Sequence, residues 1–329
     1  MKTEALAFLV SIFAGGALCW AMLPLLRAFK AGQPILGYVD NHRSKSGTPT
    51  MGGFSFAVAA CAVFAAFFAR SDARLAVVCA ALALSFLAVG AFDDGIKIKT
   101  KKNEGLTVKQ KIIFQTAISL IVSLFVYFKG HTDSFIPFFN VYCDLGFFAV
   151  PLCFFVFLAT TNCVNLTDGL DGLAGGVCYV YFLTFYALIK AQVMLFPDNY
   201  VLPAEAENIA RLCLVQAGAL LGYLIFNTYK ASVFMGDTGS LYLGGMVAST
   251  GILSGNAFFI PFIGAAFVAS GVSVLIQVAH YKRTKKRVFL MAPLHHHFEY
   301  KGYGESKICY CYKLVTLVLG VACALSLTI

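Results

Sequence analysis

Long apolar stretches alternate with short polar ones along the whole chain. Ten apolar stretches approach the roughly 20 residues that a helix needs to cross a bilayer, near residues 5–26, 52–69, 75–92, 112–128, 147–163, 173–190, 211–227, 239–255, 258–280 and 313–329. The pattern predicts an all-α polytopic membrane protein with about ten transmembrane helices, built as a single integral membrane domain over 1–329. The polar stretch 131–146 is typical of a small interfacial hairpin.

The composition supports this class. Of the 329 residues, 59% are hydrophobic and 12% are charged, whereas soluble domains carry about 25% charged residues. Most of the 11 cysteines fall inside the apolar stretches, where cysteine acts as a small apolar residue. We therefore expect structural roles for them, without a disulfide framework or a cysteine metal site.

Most of the 25 lysines and arginines lie in the loops that follow the odd-numbered apolar stretches. Basic loops stay on the cytoplasmic side, so both termini are predicted to be periplasmic and the active site to lie in a cytoplasmic-face cleft. The five predicted cytoplasmic loops are 27–51, 93–111, 164–172, 228–238 and 281–312. Topology explains the net charge of +9 without nucleic-acid binding, and a part in holding an anionic substrate or lipid head group remains open.

Five aspartates lie at the cytoplasmic ends of the predicted spans: Asp93, Asp94, Asp168, Asp171 and Asp237. A helix cap explains any one of them alone, but ionisable groups at membrane depth are costly and indicate function when they collect on one side. Neighbouring helical residues point about 100° apart, so we expect one of Asp93 and Asp94 to enter a site while the other braces the loop. The excess of carboxylates implies raised pKa values or a bound Mg²⁺.

Basic residues and histidines lie on the same side. The loop after Asp94 carries six lysines, and Lys45 precedes the small-residue stretch GTPTMGG; the six are Lys97, Lys99, Lys101, Lys102, Lys109 and Lys111. No P-loop pattern occurs, which excludes that class of nucleotide-binding enzyme. The stretch PLHHHFE at 293–299 favours phosphate contacts or acid–base chemistry, with zinc binding or a structural role as alternatives.

Five motifs in this order, GTPTMGG, FDDGIK, NLTDGLDGLA, VFMGDTGSL and APLHHHFE, closely resemble the phospho-N-acetylmuramoyl-pentapeptide transferase family. This family belongs to the polyprenyl-phosphate N-acetylhexosamine-1-phosphate transferases, and the likeness runs from about Lys45 to Glu299. The resemblance implies transfer of phospho-MurNAc-pentapeptide from UDP-MurNAc-pentapeptide to undecaprenyl phosphate, giving lipid I and UMP, with Mg²⁺. It also implies the bacterial inner membrane, peptidoglycan synthesis and a homodimer.

The resemblance also assigns roles to individual residues. Asp237 matches the expected Mg²⁺ ligand with Asp168 nearby, and Asp93 or Asp94 matches the group that would deprotonate the acceptor. His295 and His296 match a catalytic histidine motif. The basic positions around the phosphates are Lys45, Lys97, Lys101 and Lys109, and the substrate pocket comprises Asn165, Asp168, Asp171, Asn227, Phe234 and, as a weaker match, Gln277.

One departure and three alternatives accompany the resemblance. Relatives commonly have Pro-Ala before VFMGD, where this chain has Lys230 and Ser232 in YKASVFMGD, and the lost proline is expected to loosen the turn. A sister enzyme that transfers GlcNAc-1-phosphate would share the aspartates but not the histidine motif. A transporter is the non-enzyme alternative. Direct attack by the acceptor is favoured over a covalent phospho-enzyme, which the sequence does not exclude.

Overall fold

The computed structural model describes residues 2–28, 47–69, 73–100, 105–196 and 203–328. Two predicted site residues, Lys45 and Lys101, lie outside these ranges. The helices are α1 (Lys2–Ala28), α2 (Gly53–Phe68), α3 (Arg74–Thr100), α4 (Val108–Phe128), α5 (Ala149–Thr167), α6 (Leu173–Leu195), α7 (Pro203–Asn227), α8 (Gly236–Leu253), α9 (Ile260–Ile263), α10 (Ala265–Thr284), α11 (Leu294–Tyr300) and α12 (Glu305–Leu325).

The structure confirms a polytopic all-α membrane protein. Within the described ranges, seven helices are long and apolar enough to cross a bilayer, and the pair α9–α10, bent by 81° at Gly264, makes an eighth if it counts as one span. Each of the ten apolar stretches coincides with a helix or with this bent pair. The finer count of ten spans stays a prediction, because α2 is short and α8 falls outside the apolar class.

Helix α8 is unusual because protein surrounds it. Every residue of α8 except Asp237 is buried, and the helix packs most extensively against α3 and also against α5. A helix that faces protein rather than lipid can be rich in glycine, serine and threonine, and this explains its weak apolar signal. Helices α1, α4, α5 and α12 instead expose much of their apolar surface, as lipid-facing helices do.

The loops between helices follow recognisable local rules. Thr107 begins α4 with a capping box, in which its hydroxyl accepts a hydrogen bond from the N–H of Gln110 and the Gln110 side chain accepts from the N–H of Thr107. Residues 131–146 contain a β-hairpin in which β1 (Asp133–Ile136) pairs antiparallel with β2 (Val141–Asp144), which confirms the predicted hairpin. The end of α5 turns into α6 through Gly172, whose φ of +71° suits glycine.

Candidate active site

Three carboxylates from two helices meet at one end of the bundle. Asp93 and Asp94 are near the end of α3, Asp237 lies in the first turn of α8, and one ligand oxygen from each lies within 4.8 Å of the others. The helices can approach because Gly90 lies against the backbone of Asp237, where an added Cβ would come within 2.6 Å of the Thr238 nitrogen. Close backbone contact between α3 and α8 thus creates the cluster.

The two adjacent aspartates each serve the cluster and the surrounding backbone at the same time. Asp93 accepts a hydrogen bond from the N–H of Leu106 at 2.7 Å. Asp94 accepts from the N–H and hydroxyl of Thr238 at 2.9 and 2.7 Å, which ties α3 to the start of α8. The expectation that only one of the pair enters the site is therefore wrong, because one oxygen of each lies in the cluster.

Two lysines lie against the three carboxylates and offset part of their negative charge. The Lys97 ammonium lies 2.6 Å from Asp93 and 2.7 Å from Asp237, and the Lys111 ammonium lies 2.8 Å from Asp237 and 3.3 Å from Asp93. The structure thus brings the predicted Lys97 into the site. Buried carboxylates need such partners, because an unpaired charge is costly away from water.

Lys111 was not selected from the sequence, where the resemblance pointed to Lys109. Lys109 is exposed. It precedes Lys111 by two residues on the same helix, so the two side chains point about 200° apart. Helical spacing could have identified Lys111, because it starts the face of α4 that continues through the buried Gln115 and Ser119. The assignment of Lys109 to the substrate phosphates stays a prediction.

The second oxygen of Asp237 is held by Asn165 of α5. The Asn165 amide donates to Asp237 Oδ1 at 2.6 Å and contacts the Ser240 hydroxyl at 2.8 Å. Asp168, one turn later at the end of α5, is not one of the three clustered carboxylates. Burial, and then the charge of Asp237, raise the pKa of Asp168 to about 8. Its assignment as a metal ligand stays a prediction.

Asp171 and Asn227 brace the segment that carries Phe234. Asp171 accepts a hydrogen bond from the N–H of Ala231 at 3.1 Å, and the Asn227 amide donates to the carbonyl of Val233 at 2.9 Å. Phe234 is partly exposed between two buried residues, and its backbone is bonded to Pro49 and Gly52 at 2.8 and 2.9 Å. The backbone of Phe234 is thus held in place and the residue stays partly accessible, as stacking of its ring on a base would require. That contact with a base stays a prediction.

Backbone hydrogen bonds hold the turn that lacks the proline of its relatives. Lys230 has a φ of +63°, which proline cannot adopt. The N–H of Ser232 donates to the carbonyl of Phe226 at 2.7 Å, and Ala231 is held by Asp171. These hydrogen bonds hold Ala231 and Ser232 in place, and the expected loosening of the turn stays a prediction.

The histidine motif forms α11, which packs against the turn between α5 and α6. His295 is fully buried, its ring lies 4.4 Å from that of His296, and both approach Gly169. His296 Nδ1 lies 2.8 Å from the Glu299 carboxylate. The structure thus brings the histidines to the aspartate-bearing turn. Their catalytic role stays a prediction.

Gln277 of α10 is occupied by the segment before α11. Its side-chain oxygen accepts from the N–H groups of Val288 and Phe289 at 3.0 and 2.9 Å, and its nitrogen donates to the Phe289 carbonyl at 3.2 Å. These contacts support a bracing role, although Gln277 also lines an open cleft of about 620 Å³. Its contact with substrate stays a prediction.

Comparison with known proteins identifies the family. The family model described as glycosyl transferase family 4 matches residues 75–255. The chain is 39% identical over 325 residues to the phospho-N-acetylmuramoyl-pentapeptide-transferase of Clostridium novyi (strain NT), covering 98% of this chain and 94% of that protein. It is 40% identical over 321 residues to the protein of the same name from Clostridioides difficile (strain 630), covering 96% and 94%. The matched region contains the three clustered aspartates, and the chain belongs to glycosyl transferase family 4.

Proposed function

We propose that the protein transfers phospho-MurNAc-pentapeptide from UDP-MurNAc-pentapeptide to undecaprenyl phosphate and releases UMP. The observation that carries this proposal is the cluster of three carboxylates with two lysines at one end of a membrane bundle. The names of full-length relatives supply the substrate class. A lipid-linked acceptor needs a site at the membrane surface, and a soluble diphosphate donor needs cations there.

The proposed reaction is a phosphoryl transfer, in which catalysis consists mainly of positioning and neutralising charge. An oxygen of undecaprenyl phosphate attacks the donor phosphorus that carries the sugar, and the bond to UMP breaks. The acceptor phosphate has a second pKa near 6, so it is largely dianionic and needs little help from a base. Lys97 and Lys111 would hold the negative phosphate oxygens as they now hold the carboxylates.

The donor set of the cluster fits Mg²⁺, which prefers oxygen ligands from one or two carboxylates together with substrate phosphates. We propose that Asp237 holds the ion with help from Asp93 and Asp94, whose oxygens lie within the same 4.8 Å. A bound Mg²⁺ would supply positive charge to the donor diphosphate. The chain's own contribution is to fix Asp237 from both sides, through Lys111 and Asn165.

We place the site on the cytoplasmic side of the inner membrane, with ten spans, both termini outside and a homodimer as the assembly. In support, the site residues come from the ends of α3, α5 and α7, from the turn between α5 and α6, and from the starts of α4 and α8. Such alternation is expected when successive antiparallel helices meet at one membrane face. A cytosolic donor would reach this face directly.

Donor choice tests the proposal against the sister GlcNAc-1-phosphate transferase. Purified protein with undecaprenyl phosphate should release UMP from UDP-MurNAc-pentapeptide and not from UDP-GlcNAc. The reverse preference would overturn the proposed substrate. Incubation with labelled donor alone tests the two-step alternative, and a labelled phospho-enzyme would overturn direct attack.

A further inference from the structure

Two neutral amides join α4 to α5 just beneath the carboxylate cluster. The Asn162 side-chain nitrogen donates to the Gln115 side-chain oxygen at 2.7 Å, and it also donates to the carbonyl of Leu158 on its own helix at 2.8 Å. Gln115 is fully buried. Neither residue belongs to the motifs that the sequence singled out.

Each amide lies one helical turn from a group that binds Asp237. Lys111 precedes Gln115 by four residues on α4, so these two side chains share one face of that helix. Asn165 follows Asn162 by three residues on α5 and likewise shares its face. Lys111 binds Oδ2 of Asp237 at 2.8 Å, and Asn165 binds Oδ1 at 2.6 Å. The amide pair therefore connects the two helices that hold the two oxygens of one carboxylate.

Two buried hydroxyls further along the same face of α4 bond to carbonyls of their own helix. Ser119 and Ser123 donate their hydroxyls to carbonyls of α4 itself, each at 2.7 Å, while Ile112, Ile113 and Phe114 are exposed on the outer side. Helices in a bilayer gain no hydrophobic driving force for association, so packing and hydrogen bonds between helices define their rotation and depth. The hydrogen bond of 2.7 Å between the Asn162 and Gln115 side chains is directional, so it can define the rotation of α4 against α5.

We propose that Gln115 and Asn162 form a positioning pair that holds α4 against α5, so that the Lys111 ammonium and the Asn165 amide meet on Asp237. The consequence for turnover rests on the proposed transferase function, whereas the positional consequence does not. Displacing a group by about 1 Å can lower a rate about 100-fold. Without the pair, Lys111 moves off Asp237, and kcat falls more than the donor KM changes.

The first test measures position without activity. Amine acylation in detergent, quantified by peptide mass spectrometry, should label Lys111 several-fold faster in Asn162→Leu and in Gln115→Met than in the unaltered protein. Lys97 is the internal control, because it extends from α3, and its labelling should change less than twofold. Unchanged labelling of Lys111 would overturn the proposal, and so would equal increases at both lysines, which indicate general loosening.

The second test measures turnover. Each single variant should lower kcat about tenfold, and the double variant should be no slower than the singles, because both changes break one bond. In a Lys111→Gln background, Asn162→Leu should lower kcat by a smaller factor than in the unaltered protein, because only the Asn165 contact is left to lose. A full additional loss there would overturn the proposal. Absence of turnover in the unaltered protein would refute the proposed function alone. The acylation result would still test whether Gln115 and Asn162 position Lys111.

A matched control is available elsewhere in the bundle. Gln192 near the end of α6 donates to Asn256 at 2.8 Å, and both side chains are buried. Gln192 lies 19 residues beyond the start of α6, which is about 28 Å along the helix. Gln192→Leu breaks a bond of the same chemistry and should leave kcat and Lys111 labelling within twofold. Equal losses in this variant would show that the effect is structural and would overturn the proposal.

Discussion

Asp237 is the most completely held side chain of the site. Its two oxygens contact Lys97, Lys111 and Asn165, at 2.7, 2.8 and 2.6 Å. The groups come from three helices, so the carboxylate also fixes where those helices meet. A change at this residue therefore alters charge and geometry together, whereas a change at an exposed aspartate does not.

The first prediction concerns the charge of Asp237. Asp237→Asn removes the negative charge that pairs with two lysines, and turnover should fall about 100- to 1,000-fold or more while the protein still inserts and purifies. Asp144→Asn is the control, because Asp144 is exposed and its carboxylate accepts hydrogen bonds from Thr132 and Gly146, far from the cluster in the chain. Initial rates of UMP release measure both variants. Near-normal turnover of Asp237→Asn would contradict the assignment.

Some site residues could be predicted from the sequence and others could not. Asp93, Asp94, Asp237, Asn165 and Lys97 could be selected because charge and amide groups at span ends are conspicuous and match known motifs. The pairing of Lys111, rather than Lys109, with the aspartates depends on the rotation of α4. Helical spacing places Lys111 in line with Gln115 and Ser119, but only the packed structure shows that this is the buried face of α4.

At the scale of elements, close contact between α3 and α8 determines where the carboxylates lie. Gly90 of α3 faces the Asp237–Thr238 backbone, and Gly53 of α2 faces Gly239. Small residues at helix crossings allow backbones to approach in a membrane protein. The apolar pattern predicted that these helices exist and roughly where they end, but it did not reveal that α8 is central, because a helix enclosed by protein has no need of an apolar surface.

The second prediction tests this crossing. Gly90→Ala inserts a methyl group against the α8 backbone and should destabilise the protein by about 1–3 kcal/mol, with a loss of turnover because Asp237 is displaced. Gly95→Ala is the matched control, since nothing lies within 4 Å of its added methyl group. The Gly95→Ala variant should be as stable as the unaltered protein or more stable by up to about 1 kcal/mol. Thermal unfolding in detergent compares the two variants. Equal unfolding midpoints would contradict the close approach of α3 and α8 at Gly90.

At the scale of the whole molecule, charged groups collect at both ends of the bundle for different reasons. Away from the carboxylate cluster, Arg211 of α7 lies 3.2 Å from Glu4 of α1 and 2.9 Å from Glu207, and Lys190 of α6 lies 3.6 Å from Glu4. This network joins three helices and includes none of the motif residues. We interpret it as structural.

The third prediction follows from that interpretation. Arg211→Met should lower the free energy of unfolding by about 1 kcal/mol, the range of partly exposed ion pairs, while kcat stays within twofold. Thermal unfolding and UMP release on the same preparation provide the comparison. A tenfold loss of turnover at unchanged stability would contradict a purely structural role.

The fourth prediction concerns orientation. Cys143 is exposed on β2, in the hairpin between α4 and α5, and the proposed topology puts this hairpin outside the cell. A membrane-impermeant maleimide should label Cys143 in right-side-out vesicles and not in sealed inside-out vesicles. The Cys143→Ser variant shows which part of the maleimide labelling comes from Cys143. Labelling with the opposite preference would invert the topology and move the carboxylate cluster to the outer face.

Formation of lipid I from defined substrates tests the central claim most directly. Purified protein is incubated with UDP-MurNAc-pentapeptide and labelled undecaprenyl phosphate, with Mg²⁺ or with excess chelator, and the lipid product is identified by mass spectrometry. The account predicts lipid I and an equal amount of UMP with Mg²⁺, and loss of both products with chelator that added Mg²⁺ reverses. Failure to form lipid I with Mg²⁺ by protein that retains its thermal unfolding transition would contradict it.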